Sequence, residues 1–125
     1  MELIMQTLIL FSLLLALLHI WLLPMILNVK NAEYLLSNRD GVVEESGMSG
    51  RVRRASTNFY ESFPAFLVLC LLSIMLEVDN ISLAMCWLIF RVLFLISYAA
   101  GIIYLRTLLW MGSIVCLIMM AVSFI

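Results

Sequence analysis

The run LIMQTLILFSLLLALLHIWLLPMILNV, residues 3–29, holds 27 consecutive positions without an Asp, Glu, Lys or Arg. A helix needs about 20 predominantly apolar residues to cross the hydrocarbon core of a bilayer, so this run predicts a membrane span. Three more runs follow. Residues 59–76 carry only Glu61 as a charge, residues 81–105 only Arg91, and residues 107–125 none. Inside lipid, only helices and closed barrels satisfy their own backbone, and these runs lack the alternation of barrel strands. The expected fold is all-α, an integral membrane four-helix bundle. It forms a single domain over residues 1–125, with spans at about 3–29, 54–76, 80–105 and 107–125.

Composition supports the same conclusion. Of the 125 residues, 66% are hydrophobic and 12% charged, with a mean hydropathy of +1.17, far more apolar surface than one soluble core buries. That excludes a water-soluble globular domain and a disordered chain. Nine of the 15 charges (Lys30, Glu33, Arg39, Asp40, Glu44, Glu45, Arg51, Arg53, Arg54) fall between residues 30 and 54. The stretch 30–53, with Asn38, Gly41, Ser46, Gly47, Ser49 and Gly50, reads as one irregular polar loop. Net charge is −1 and no basic run exceeds Arg51-Val52-Arg53-Arg54, so no nucleic acid partner is expected. Cys70, Cys86 and Cys116 lie in apolar runs without metal-ligand spacing and read as packing residues, with no metal implied. The amino terminus carries Glu2 in place of a basic region and lacks a cleavage signal, so it is expected to remain as a span.

Orientation follows from Lys and Arg, which are in excess in cytoplasmic loops. The first loop has Lys30, Arg39, Arg51, Arg53 and Arg54, and the connection between the last two spans has Arg106. The turn with Glu77 and Asp79 has none. A multi-pass protein with both termini on the non-cytoplasmic side, in contact with membrane lipids, is expected.

Ionisable groups at membrane depth are costly and normally face the bundle interior or a wet cavity. Arg51, Arg54, Asn58 and Glu61 step by three, four and three, which puts them on one face of a helix. Such a stripe forms one wall of a polar cleft open to the cytoplasm. Arg91 and Tyr98 share a face of the third span, with Phe94 between them. Pairing of Glu61 with Arg91 across helices is one expectation. Spacing alone admits a plainer one: a structural ion pair that fixes register, beside arginines anchored at lipid headgroups. Ser56, Thr57, Ser73, Ser97 and Gly101 read first as helix-contact residues, and His19 as a hydrogen-bonded imidazole of the bundle. Trp21, Tyr34, Trp87, Tyr104 and Trp110 fit interfacial or packing positions.

The stretch 54–66, RASTNFYESFPAF, resembles the signature R-A-x-x-N-x-x-E-x-x-P-x-F of the MAPEG family, the membrane-associated proteins in eicosanoid and glutathione metabolism. Arg91 to Tyr98 is similar to that family's R-x-x-[YH]-x-x-x-Y, and Arg106-Thr107 to its basic start of the last helix. Length, span count and the polar first loop agree, most closely with the short bacterial members, which places the expectation in the bacterial inner membrane. The resemblance implies a homotrimer that holds glutathione, as co-substrate, in a cytoplasm-facing cleft between subunits. It implies glutathione contacts from Arg54, Asn58, Glu61, Arg91 and Tyr98, and more loosely from Lys30. Arg106, with Tyr98, would stand at the sulfur as the catalytic group. Three positions depart from the better-known members: Phe94 replaces Tyr or His, Ser56 replaces His or Gln, and Ser62 replaces Tyr.

The residue chemistry suits that guest. Arg54 offers a planar fork to a carboxylate, Asn58 an amide to the peptide backbone, and Glu61 a partner for the ammonium. A guanidinium at Arg106 favours the thiolate over a thiol that otherwise titrates near ~8.5. The expected activity is a glutathione-dependent transferase or peroxidase acting on lipophilic electrophiles or hydroperoxides. The alternative is a non-catalytic protein of the same fold that binds a lipid or a protein partner. A four-helix exporter of cationic drugs is disfavoured, because such exporters rely on a carboxylate in the first span and residues 3–29 have none.

Overall fold

A computed structural model describes residues 2–22 and 47–125. Helix α1 (Glu2–Leu17) passes into a π-helical turn, Leu18–Leu22. Three helices follow: α2 (Gly47–Met75), α3 (Ile81–Ala100) and α4 (Ile103–Val122). All four are long and apolar enough to cross a membrane. Residues 23–46 lie outside the described residues, and with them Lys30, Tyr34 and most of the expected polar loop.

Two boundaries differ from the expectation. Helix α2 starts at Gly47 rather than near residue 54, so it takes in residues 47–53 of the expected loop, and Arg51 and Arg54 lie on the same helix as Asn58 and Glu61, as their spacing predicts. The third and fourth helices meet at Gly101 and Ile102, not at residue 106, and Arg106 stands one turn inside α4. The break lies in an unbroken apolar run, where hydropathy carries no signal. Gly101 supplies it. Its φ of 80° is left-handed, its N–H donates to Tyr98 O (3.1 Å), and the Ile102 N–H donates to Ser97 O (2.9 Å). That is the Schellman end of a helix, in which glycine avoids the Cβ clash other residues meet.

The opposite end of the bundle is closed by an amide. Asn80, between α2 and α3, donates through Nδ2 to the Ser73 and Ser123 hydroxyls, both at 2.9 Å, tying the ends of α2 and α4 together. Glu77, at φ 55°, turns the chain there, and the Asp79 carboxylate accepts from the Ile81 N–H (3.1 Å) at the start of α3.

Between these ends α3 and α4 pack most extensively, and the core centres on Phe59, Phe66 and Trp87. The Phe66 and Trp87 rings stack at 3.9 Å and 12°. Large apolar side chains such as Phe11, Ile89, Ile96, Val115 and Met119 point outward instead, as a bilayer requires. Helix α1 is held to α2 by hydroxyls. Tyr60 donates to the Ala16 carbonyl (3.1 Å), and Ser56 Oγ lies 2.8 Å from the His19 carbonyl. Both acceptors sit where α1 changes to i→i+5 hydrogen bonding, a change that disturbs the carbonyl pairing of an α-helix.

Candidate functional site

The polar stripe on α2 divides along its length. Arg51 and Asn58 lie at its inner edge, half-buried against α3, while Arg54 and Glu61 lie at its outer edge and are exposed. A helix advances about 100° per residue, so positions seven apart nearly superimpose and those three apart separate by about 60°. That small angle decides which side chains meet α3 and which face outward.

Asn58 meets the buried charge of α3. Arg91 is fully buried, and its Nη1 donates to Asn58 Oδ1 at 2.9 Å. Its guanidinium lies 4.4 Å from the Phe94 ring centroid and 5.5 Å from that of Phe59. Aromatic faces attract a desolvated cation, and here they cover the parts of Arg91 that no oxygen reaches. Arg91 Nε and Nη2 have no hydrogen-bond partner among the described residues. Glu61 and Arg91 form no ion pair among the described residues. The partner that register provides is the amide one turn earlier.

At the end of the bundle that holds the α3–α4 turn, three residues from three helices converge. Tyr98 of α3 is half-buried, with Arg106 of α4 at 4.4 Å from its ring centroid and Arg54 of α2 at 6.0 Å. Phe94 touches the same tyrosine edge-on at 5.5 Å, which links this group to the Arg91 site below. Five of the expected residues (Arg54, Asn58, Arg91, Tyr98, Arg106) thus form one connected patch, with Glu61 exposed on its rim. Among the described residues neither Arg54 nor Arg106 is paired with a carboxylate. A patch with more guanidinium than carboxylate among the described residues favours an anionic guest.

The family model for MAPEG matches residues 8–125, nearly the whole chain. The chain belongs to the MAPEG family. No curated protein and no solved structure matches it at a significant level. MAPEG membership supports a membrane protein related to glutathione and eicosanoid metabolism.

The positions at which this MAPEG chain departs from the better-known pattern have local reasons. Phe94 is buried and turns its face to Arg91, so it supports the cation from below rather than lining the open patch. Ser56 serves α1, and Ser62 is buried against its own helix, with Oγ 3.4 Å from Phe59 O. Sequence reasoning missed the part played by Arg51, whose Nε donates to the Ala99 carbonyl at 3.0 Å. A basic residue near a membrane boundary reads as a headgroup anchor, and its real acceptor lies 48 positions away in the chain. It also missed Phe59, which packs between His19 (stacked at 4.5 Å) and Arg91.

Proposed function

We propose that this MAPEG protein is a glutathione-dependent membrane transferase or peroxidase acting on lipophilic electrophiles or hydroperoxides. The observation that carries the reading is the convergence of Arg54 and Arg106 on the Tyr98 ring, with no carboxylate paired to either among the described residues. Glutathione brings two carboxylates and an ionisable thiol. Arg54 receives a carboxylate, the amide of Asn58 meets the peptide, and Glu61 at the rim takes the ammonium. Arg91 acts from beneath by holding Asn58 in place.

Arg106 has the chemical role. A guanidinium beside the sulfur favours the thiolate, the actual nucleophile, and the Tyr98 ring under it holds that guanidinium in place. In conjugation the thiolate pair forms a C–S bond to the electrophile while the leaving group departs with the displaced pair. In this reading three chains associate as a homotrimer, and Lys30 of the first loop adds a basic contact from a neighbour. Five of the seven Lys and Arg residues lie between residues 30 and 54, which supports a cytoplasmic cleft and non-cytoplasmic termini. A bacterial inner membrane is the setting proposed.

The test is glutathione binding by calorimetry and conjugation of a generic aryl halide by the purified protein in nanodiscs. Arg106→Ala is expected to bind the tripeptide and lose turnover, and Glu61→Ala to weaken binding. Absence of saturable binding at millimolar glutathione overturns the proposal.

One observation favours the second reading, a non-catalytic binder of lipid or of a protein partner. An apolar cavity of about 500 Å³ lies between α1 and α3, lined by Leu8, Phe11, Leu15, Leu88, Ile89 and Val92. On that reading a fluorescent fatty acid binds while glutathione does not, and the same preparation decides between the two.

A further inference from the structure

We infer that Arg51 is a positioning residue: it clamps the turn between α3 and α4, and so fixes Arg106 against Tyr98. The last turn of any α-helix leaves four carbonyls without intrahelical partners. At the end of α3 these belong to Ser97, Tyr98, Ala99 and Ala100. The Schellman turn serves the first two through the N–H groups of Ile102 (2.9 Å) and Gly101 (3.1 Å). The third, Ala99 O, accepts from Arg51 Nε at 3.0 Å. A cation at this place also opposes the negative end of the helix dipole.

The contact does more than cap. The Arg51 guanidinium lies across the turn itself, with Nε 3.7 Å and Cζ 3.8 Å from where a Cβ on Gly101 would stand. It is therefore packed on the two-residue hinge that sets the direction of α4. Four residues beyond Ile102, in the first turn of α4, comes Arg106, whose guanidinium reaches back to the ring of Tyr98. Tyr98 in turn stands one residue before Ala99. The clamp, the turn and the cation–ring pair thus share one short segment, and Arg51 is its tie to α2. Arg54, one turn further along α2, approaches the same Tyr98 ring, 6.0 Å from its centroid. A fixed spacing between α2 and this turn therefore fixes the spacing between Arg54 and Arg106. A headgroup anchor would need none of this geometry, because its guanidinium would point outward to phosphate.

The catalytic half of the inference rests on the glutathione reading, whereas the clamp does not. Loss of the donor should let α4 change direction. That would leave the carboxylate grip of Arg54 intact while the cation beside the sulfur drifts. The effect belongs in kcat and its pH profile, not in tripeptide affinity.

The experiment uses full-length protein in nanodiscs and compares wild type with Arg51→Met, which keeps the apolar stem, and Arg51→Lys, which keeps the charge but not the donor at Nε. Hydrogen–deuterium exchange of the ligand-free proteins is expected to rise at least tenfold at residues 101–107 in Arg51→Met, with residues 110–120 unchanged. Glutathione affinity is expected to stay within about threefold of wild type, while kcat falls at least tenfold and its acid limb moves to higher pH. Arg51→Lys should recover less than half of the lost kcat. Unchanged exchange at residues 101–107 overturns the clamp whatever the activity does. Raised exchange with a wild-type kcat and pH profile overturns its link to the chemistry, and a loss of affinity alone would make Arg51 a ligand contact instead. If wild type neither binds nor turns over glutathione, the proposed function fails, and the exchange data still decide whether Arg51 holds the turn.

Discussion

The Arg106 guanidinium of α4 lies over the Tyr98 ring of α3, 4.4 Å from its centroid, across a turn of two residues. The attraction is to the face of the ring, so the phenol oxygen is not needed for it. Cation–π contacts are worth about 0.5–2 kcal/mol, or roughly 2- to 30-fold in a rate that depends on them. Tyr98→Phe is therefore expected to retain at least a third of wild-type kcat for conjugation, and Tyr98→Ala to lose up to about 30-fold. If Tyr98→Phe is as impaired as Tyr98→Ala, the hydroxyl and not the ring is what the sulfur uses. Steady-state kinetics on the three proteins separates the two.

Asn58 and Arg91 behave as a unit. Arg91 is fully buried and Asn58 Oδ1 is its only described oxygen acceptor, at 2.9 Å. Removal of one partner of a buried charged hydrogen bond costs about 1.5–3 kcal/mol or more, whereas replacement of both by apolar groups is often nearly neutral. Asn58→Leu should lower the thermal midpoint in detergent by several degrees. Arg91→Met added to it should restore most of that loss. A double variant less stable than Asn58→Leu alone contradicts this account. Both variants should bind glutathione more weakly, because the amide then has the wrong chemistry.

Much of this arrangement could be read before any coordinates. Four long apolar runs, two of them free of charge and two with a single charge each, predict four spans, because a bilayer tolerates so few alternatives. The three-four-three spacing of Arg51, Arg54, Asn58 and Glu61 places them on one face. What spacing does not give is the rotation of that face against α3. A difference of about 60° made Asn58, and not Glu61, the partner of Arg91 and turned Arg51 inward to Ala99. The α3–α4 turn was hidden for another reason. Gly101 is one residue in an apolar run, and its effect is in φ, which hydropathy does not record. Ser56 and Phe94 looked like lost cleft contacts, and they matter instead through His19 O and Arg91.

Gly112 shows how closely α4 approaches α3. A Cβ there would stand 2.9 to 3.1 Å from three ring carbons of Phe90. A small residue lets two membrane helices approach, and an added methyl must push a ring aside. Gly112→Ala is expected to destabilise the protein by about 1–3 kcal/mol, the range for overpacking. Phe90→Leu combined with it should recover at least half of the loss in thermal unfolding. No recovery would mean that something other than Phe90 sets the approach.

The hydroxyls that hold α1 make the last case, because their acceptors lie in a helix with no other described polar tie to α2 at that level. Tyr60 donates to Ala16 O at 3.1 Å, and Ser56 Oγ stands 2.8 Å from His19 O and 3.0 Å from Val52 O. Interhelical hydrogen bonds in membrane proteins average only ~0.6 kcal/mol, up to ~1.7. Each single change, Tyr60→Phe or Ser56→Ala, should therefore shift stability by less than about 1 kcal/mol. The pair should differ in kind. With both hydroxyls gone, the Ala16 and His19 carbonyls lose their side-chain donors, only the His19 ring still meets a carbonyl there, with Nδ1 2.8 Å from Leu15 O, and that turn has reason to revert to an α-helix. Such a reversion would rotate His19 off the face of Phe59, on which it now stacks at 4.5 Å. In the double variant the Nε2 and Cε1 resonances of His19 should lose the ring-current shift that Phe59 imposes, while each single variant keeps it. A double variant with the wild-type histidine spectrum would show that packing alone, without the two hydroxyls, maintains the π turn.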